Sequence, residues 1–170
     1  GVPYTYTMLK RIGFDKIEIP TLKYFTQAGG KLSEEFIKQF NEYALEKKVK
    51  FYVMYGQTEA TARITYVPPE KLNDKIGSIG ISIPGGDLKI VNSGKELSNP
   101  DEVGEIVYQG NNVMLGYAEI RDDLSKGDEL NGMLSTGDLG YIDEDGFFYV
   151  TGRMKRFIKI FGLRINLDEV

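Results

Sequence analysis

The stretch Val49-Lys50-Phe51-Tyr52-Val53-Met54 runs directly into Tyr55-Gly56-Gln57-Thr58-Glu59. The first six residues read as a short, mostly apolar strand. The next five place an aromatic, a glycine, an amide, a hydroxyl and a carboxylate in consecutive positions. In open α/β sheets, ligands bind beyond the carboxyl ends of the strands, where such a loop would lie. The residue types suit a nucleotide. Tyr55 can cover a base, Gly56 lets the backbone come close, Thr58 can donate to a phosphate, and Glu59 can hold a hard cation through oxygen. A surface turn leading into an N-capped helix accounts for the same five residues, so the flanking sequence has to decide.

Upstream, Leu22-Lys23-Tyr24-Phe25-Thr26 reads as a second strand, ending in Gln27-Ala28-Gly29-Gly30. Ser33 is a good N-cap, and Glu34 and Glu35 suit the first turn of a helix. Phe36, Ile37, Phe40, Tyr43, Ala44 and Leu45 fall on one helical face. Strand, helix and strand at these lengths predict a βαβ unit with parallel strands. Their carboxyl ends then share an edge, and Gly29-Gly30 faces the same crevice as Tyr55–Glu59. The paired glycines also serve a tight connection into the helix. A further short helix is expected from Pro3 to Arg11, ended by Gly13.

Beyond Ala60 the pattern changes. Pro68-Pro69 breaks the chain, and short alternating segments follow: Leu88–Val91, Glu105–Gln109, Tyr141-Ile142 and Phe147–Val150. Asp143-Glu144-Asp145-Gly146 carries an Asp-Gly hairpin signal. Its acids are out of register for a calcium loop, which leaves a solvated turn. The expected fold class is α/β followed by mainly antiparallel β: the βαβ portion of a mixed sheet, over residues 1–76, and a small distorted β-barrel subdomain over 77–154.

Composition narrows the chemistry. The 170 residues are 41% hydrophobic and 27% charged, enough for a real core. A formal net charge of −4 and the lack of a basic cluster argue against a nucleic-acid surface, and no run of 18 apolar residues predicts a membrane span. There is no cysteine and no histidine. Disulfides, thiolate or imidazole metal sites and His-dependent triads are therefore excluded. From Gly152 onward the chain carries Arg153, Lys155, Arg156 and Lys159 among glycines and apolar residues. That composition fits an anionic ligand nearby and equally a charged edge strand.

Taken in order, these motifs resemble the adenylate-forming superfamily: acyl- and aryl-CoA synthetases, nonribosomal peptide adenylation domains and firefly luciferase. The residues that carry the resemblance are Tyr55-Gly56-Gln57-Thr58-Glu59, Gly116-Tyr117 in GNNVMLGY, Ser135-Thr136-Gly137-Asp138-Leu139-Gly140, Gly152-Arg153, and Ile158-Lys159 with Gly162 and Arg164 to Val170. Gly29-Gly30 fits the family's glycine pair, with Lys31-Leu32 in place of the commoner Ala-Pro-Leu. The resemblance implies activation of a carboxylic acid by ATP with Mg²⁺ to an acyl-adenylate. Transfer to a thiol follows, on CoA or on the phosphopantetheine of an acyl carrier protein. The substrate carboxylate is itself the nucleophile, so positioning and charge neutralisation do the catalytic work.

The resemblance further implies individual roles. Tyr55 would lie against the adenine with the Gly29-Gly30 backbone opposite, within a nucleotide loop that includes Gly56 and Gln57. Thr58 would bond the α-phosphate and Glu59 would hold Mg²⁺. Asp138 would accept the ribose hydroxyls, and Arg153 would reach ribose or phosphate. Lys155 would be the hinge of a moving C-terminal domain that begins within 155–170, and Lys159 would face the site in the thiol-transfer state.

Gly1 without a preceding Met, and Leu167–Val170 without a tail, read as cuts from a longer chain. The family's phosphate-wrapping Gly/Ser/Thr-rich loop and its C-terminal lysine have no counterpart in these residues. The chain alone is thus expected to be inactive, and the parent to be cytoplasmic. A non-catalytic AMP-binding module and a carrier-protein ligase are the alternatives. The acid itself is not legible.

Overall fold

The computed structural model describes residues 1–154 in full and, beyond them, the backbone of two antiparallel strands, Phe157–Ile160 and Leu163–Asn166. Helix α1 (Pro3–Arg11) has proline in its first turn, where the missing amide costs nothing. Strand β1 (Tyr24–Gln27), helix α2 (Glu34–Lys47) and strand β2 (Lys50–Tyr55) form the predicted βαβ unit. The two strands pair in parallel, with Phe25 opposite Phe51. The Ser33 hydroxyl accepts from the Phe36 amide and caps α2 as its sequence suggested.

Strand β3 (Thr65–Val67) returns antiparallel against β2, and β4 (Ile81–Ser82) pairs with β3. The result is a mixed four-stranded sheet in the order β1-β2-β3-β4. A second sheet is antiparallel throughout, with strand order β6-β5-β7-β8-β9. Its strands are β5 (Gly86–Asn92), β6 (Lys95–Glu96), β7 (Gly104–Gly110), β8 (Met133–Ile142) and β9 (Phe148–Arg153). The expected distorted barrel is an open sheet: among the described residues β6 and β9 are its edges. The acidic hairpin turn is closed internally, since Asp143 Oδ1 accepts from the amides of Asp145 and Phe147. Lys75 Nζ supplies the countercharge, 2.8 Å from Asp143 and 2.5 Å from Asp145.

Each sheet has its own core. The first gathers Tyr6, Phe14, Phe40, Phe51 and Val53, with Phe25 stacked on Phe51 at 4.6 Å between ring centres. The second gathers Leu88, Ile90, Ile106, Tyr108 and Leu134. Each fully buried large side chain contributes about 1.5–3 kcal/mol by leaving water. Two short segments tie the cores together. Phe147 packs in the first and its neighbour Phe148 in the second, while Ala60 and Ile64, which follow β2, pack in the second. The loop after β2 is therefore held by both sheets, and this sets the position of the site.

Candidate functional site

The loop after β2 turns back on itself at once. Gln57 O accepts from the amides of Ala60 and Ala62 at 3.0 and 2.8 Å, and Tyr55 O accepts from Ile64 N at 2.9 Å. A Cβ on Gly56 would lie 2.4 Å from Ala62 O, so only glycine lets the two arms of the turn pass. The close approach read from Gly56 in the sequence is thus made by the chain's own backbone. Thr58–Ala60 form a 3₁₀ turn that leaves Thr58 exposed and Glu59 half-buried.

The opposite wall comes from a break in the second sheet. Glu105 of β7 pairs with Leu139 of β8, and Val107 pairs with Ser135. Between them, Thr136, Gly137 and Asp138 stand opposite Ile106 alone. Such bulges re-aim side chains and leave backbone groups unpaired. Here the sequence supplies the replacements. Thr136 Oγ1 donates to Ile106 O at 2.7 Å and accepts from Asp138 N at 3.1 Å, and Glu105 Oε1 accepts from Gly137 N at 3.1 Å. Gly137 takes φ 70°, which a side chain would resist.

Asp138 is only 6% exposed and collects three side-chain donors. Its Oδ2 accepts from Tyr55 Oη at 2.6 Å and from Gln57 Nε2 at 3.0 Å; its Oδ1 accepts from Arg153 Nε at 2.6 Å. Arg153 reaches it because the two residues are cross-strand partners in the β8–β9 ladder. Gln57 Nε2 also donates to Thr136 O at 2.9 Å, which ties the loop after β2 to β8. A buried carboxylate is stable only when so paired. Burial, and then the Asp138 carboxylate, push the Tyr55 phenol well above its usual value, so it remains a donor.

Glu59 has a different setting. Tyr117 Oη donates to Glu59 Oε1 at 2.7 Å, and Met114 N donates to Glu59 O at 2.7 Å. The Tyr117 bond, then its own backbone amide, and more weakly the Arg153 charge, hold its carboxyl below the usual range against the opposing effect of burial. Asn112 braces the same turn, donating to Ala60 O at 2.8 Å and Arg63 O at 3.1 Å.

Glu59, Thr58, Gln57, Gly56, Gly29 and Arg153 line one cleft of about 710 Å³. That is within the range of small-molecule sites. Gly30 is beside it, its carbonyl accepting from Gln27 Nε2 at 2.6 Å. Tyr55 is turned toward Asp138 behind Arg153. Lys155 lies outside the described residues, and of Lys159 only the backbone, in Phe157–Ile160, is described. Thr136, Asn112 and Tyr117 were not among the site residues read from the sequence. All three sat within the quoted motifs STGDLG and GNNVMLGY, but their partners are far away in the chain.

The donor set fits Mg²⁺ and a nucleotide. One Glu59 oxygen is bonded by Tyr117, which leaves the other for a cation. Among the described residues no three His, Cys, Asp or Glu converge. Mg²⁺ commonly uses one or two carboxylates and takes its other ligands from phosphates and water. Arg153 on the cleft wall offers further donors to an anionic ligand.

Comparison with known proteins bears on the family and the fold. The model of the AMP-binding enzyme family matches residues 1–118. The 2-succinylbenzoate–CoA ligase of Bacillus cereus is 34% identical over 151 residues, covering 89% of this chain and 30% of that protein. The o-succinylbenzoate CoA synthetase of Bacillus subtilis, solved with its acyl-adenylate intermediate, superposes at TM-score 0.76 and 30% identity, over 100% of this chain and 34% of that one. The same enzyme with ATP and magnesium superposes at TM-score 0.74, with the same identity and coverage. The chain spans about a third of the length of the relatives it matches. On its motifs, its fold and this match, the chain belongs to the AMP-binding enzyme family, within the adenylate-forming superfamily.

Proposed function

We propose that the protein containing this chain activates a carboxylic acid with ATP to an acyl-adenylate and passes the acyl group to CoA. The observation that carries this reading is one cleft that joins Thr58, Glu59 and Arg153, with Asp138 bonded to Arg153. The similarity to CoA ligases supports CoA over a carrier-protein thiol, and ATP and CoA favour a cytoplasmic setting.

In this reading Glu59 would hold Mg²⁺ through the oxygen that Tyr117 leaves free, and the cation would supply charge neutralisation at the phosphates. Thr58, exposed at the cleft, donates to that phosphate. Arg153 presents donors to ribose or phosphate, and the Gly29-Gly30 backbone lies toward the base. A carboxylate has roughly four acceptor sites, and three at Asp138 are already used. Binding both ribose hydroxyls there therefore displaces at least one of Tyr55, Gln57 and Arg153. The Arg153 side chain, half-exposed, is the one freest to move.

We also retain the division at residue 77, and Lys155 as hinge with Lys159 serving thiol transfer. The test is pyrophosphate exchange by the full-length parent with a panel of aryl and aliphatic acids, followed by mass detection of the CoA thioester. Exchange with at least one acid and formation of its thioester is expected. No exchange with any acid would leave only an AMP-binding module, and thioester on a carrier protein but not on CoA would reassign the acceptor. The 170-residue chain alone is expected to show no exchange, because it spans about a third of its relatives.

A further inference from the structure

We propose that Tyr117 is a positioning residue that fixes the Glu59 carboxylate so that a single oxygen faces the cation. The proposal rests on the reading of Glu59 as the magnesium ligand. Tyr117 is 66% exposed, so burial of its ring does not explain its orientation. Its hydroxyl reaches across 58 positions of sequence to Glu59 Oε1 at 2.7 Å. The segment carrying it grips the Glu59 turn along the main chain as well. Met114 N bonds Glu59 O at 2.7 Å, and Asn112 Nδ2 bonds Ala60 O at 2.8 Å and Arg63 O at 3.1 Å. Asn112 is in turn oriented by Tyr108 Oη, 2.7 Å from its Oδ1.

The main-chain bonds place the Glu59 backbone, and only Tyr117 acts on its carboxylate from this segment. A glutamate side chain has three rotatable bonds and can present one oxygen or two. Mg²⁺ demands near-ideal octahedral geometry and suits single-oxygen ligation. With Oε1 engaged by the phenol, Oε2 is the oxygen left to coordinate. Groups that orient a metal ligand tune affinity without touching the metal.

The experiment uses the full-length parent and Mn²⁺ as a spectroscopic stand-in, titrated by electron paramagnetic resonance with ATP and no acid, so that no turnover occurs. AMP affinity is measured separately in metal-free buffer. Tyr117→Phe is expected to weaken Mn²⁺ binding about threefold to tenfold, the scale of one exposed hydrogen bond on a ligand, with AMP affinity unchanged. Glu59→Gln is expected to weaken it further. If Glu59→Gln weakens Mn²⁺ while Tyr117→Phe matches wild type, the positioning role fails and the Glu59 reading stands. Equal loss of Mn²⁺ and AMP binding in Tyr117→Phe would make Tyr117 a general brace of the loop and overturn the proposal. Wild-type Mn²⁺ binding by Glu59→Gln would overturn the Glu59 reading and this inference together.

Discussion

Glu59 lines the cleft and Asp138 bonds Arg153 of its wall, yet Asp138 is buried under three side-chain donors whereas Glu59 is half-buried and holds one, from Tyr117. The difference follows from the elements that carry them. Asp138 is on a bulged strand whose cross-strand neighbour is Arg153, and the loop after β2 closes over it. Glu59 lies on that loop where it lines the open cleft. One carboxylate thus anchors the two sheets to each other, and the other lines the cleft with one oxygen unbonded by Tyr117. Removing the first should cost both architecture and nucleotide binding, and removing the second chiefly metal binding.

The sharpest way to break this contrast is Asp138→Ala in the full-length protein. It leaves the Tyr55 hydroxyl, the Gln57 amide and Arg153 without their common acceptor. AMP affinity should fall by about 2–4 kcal/mol, measured by titration calorimetry. An unchanged affinity would make Asp138 structural only.

Tyr55→Phe comes next in size. It keeps the ring and deletes the bond to Asp138, with an expected loss of about 1 kcal/mol in AMP affinity. A loss confined to Tyr55→Ala would instead assign the residue to covering the base. Gln57→Ala should lower the melting temperature, because Gln57 joins the loop to Thr136 and Asp138 of the second sheet; a melting curve identical to wild type would deny it that bridging role.

The smallest effect is on pH. Tyr117 first, then its own amide, depress the Glu59 carboxyl. At Asp143 burial pushes the carboxyl up, but the Lys75 ammonium and the Phe147 and Asp145 amides outweigh it and hold it low. A depressed carboxylate contributes stability above its unfolded pKa, about 3.9–4.3, and loses it as pH falls through the lower folded value. Melting temperature should therefore be flat from neutrality to about pH 5 with respect to these groups and fall below about pH 4. A transition in this window that is unaltered in Asp143→Asn would remove that residue from the account.

The elements read well wherever one local period decided them. The apolar face of α2, from which Leu45 departs by facing solvent at 66% exposure, the Ser33 cap and two strands at crossover spacing predict the parallel β1–β2 pair. The Asp-Gly signal similarly located the β8–β9 hairpin. Strand β8 itself was legible only at its end, Tyr141-Ile142. The rest of it, Met133 to Gly140, contains two glycines and a bulge that interrupt alternation, so it reads as a motif and not as a strand. Gly56 reads in the sequence as a place of close approach to a ligand, but the backbone that comes close to it is Ala62 of the same turn.

The sequence by itself determined the family, the βαβ unit and the identity of the polar groups at the cleft. It did so because helical and strand periods, caps and motif spacing are properties of near neighbours in the chain. Only the tertiary structure decided which of those groups line the cleft and which bond each other. Tyr55 and Gln57 look like ligand contacts in the sequence, yet both donate to Asp138, 83 and 81 positions away. Tyr117 meets Glu59 across 58 positions. Such pairs are set by sheet register and by a bulge, and a buried carboxylate takes whatever donors the packing brings to it.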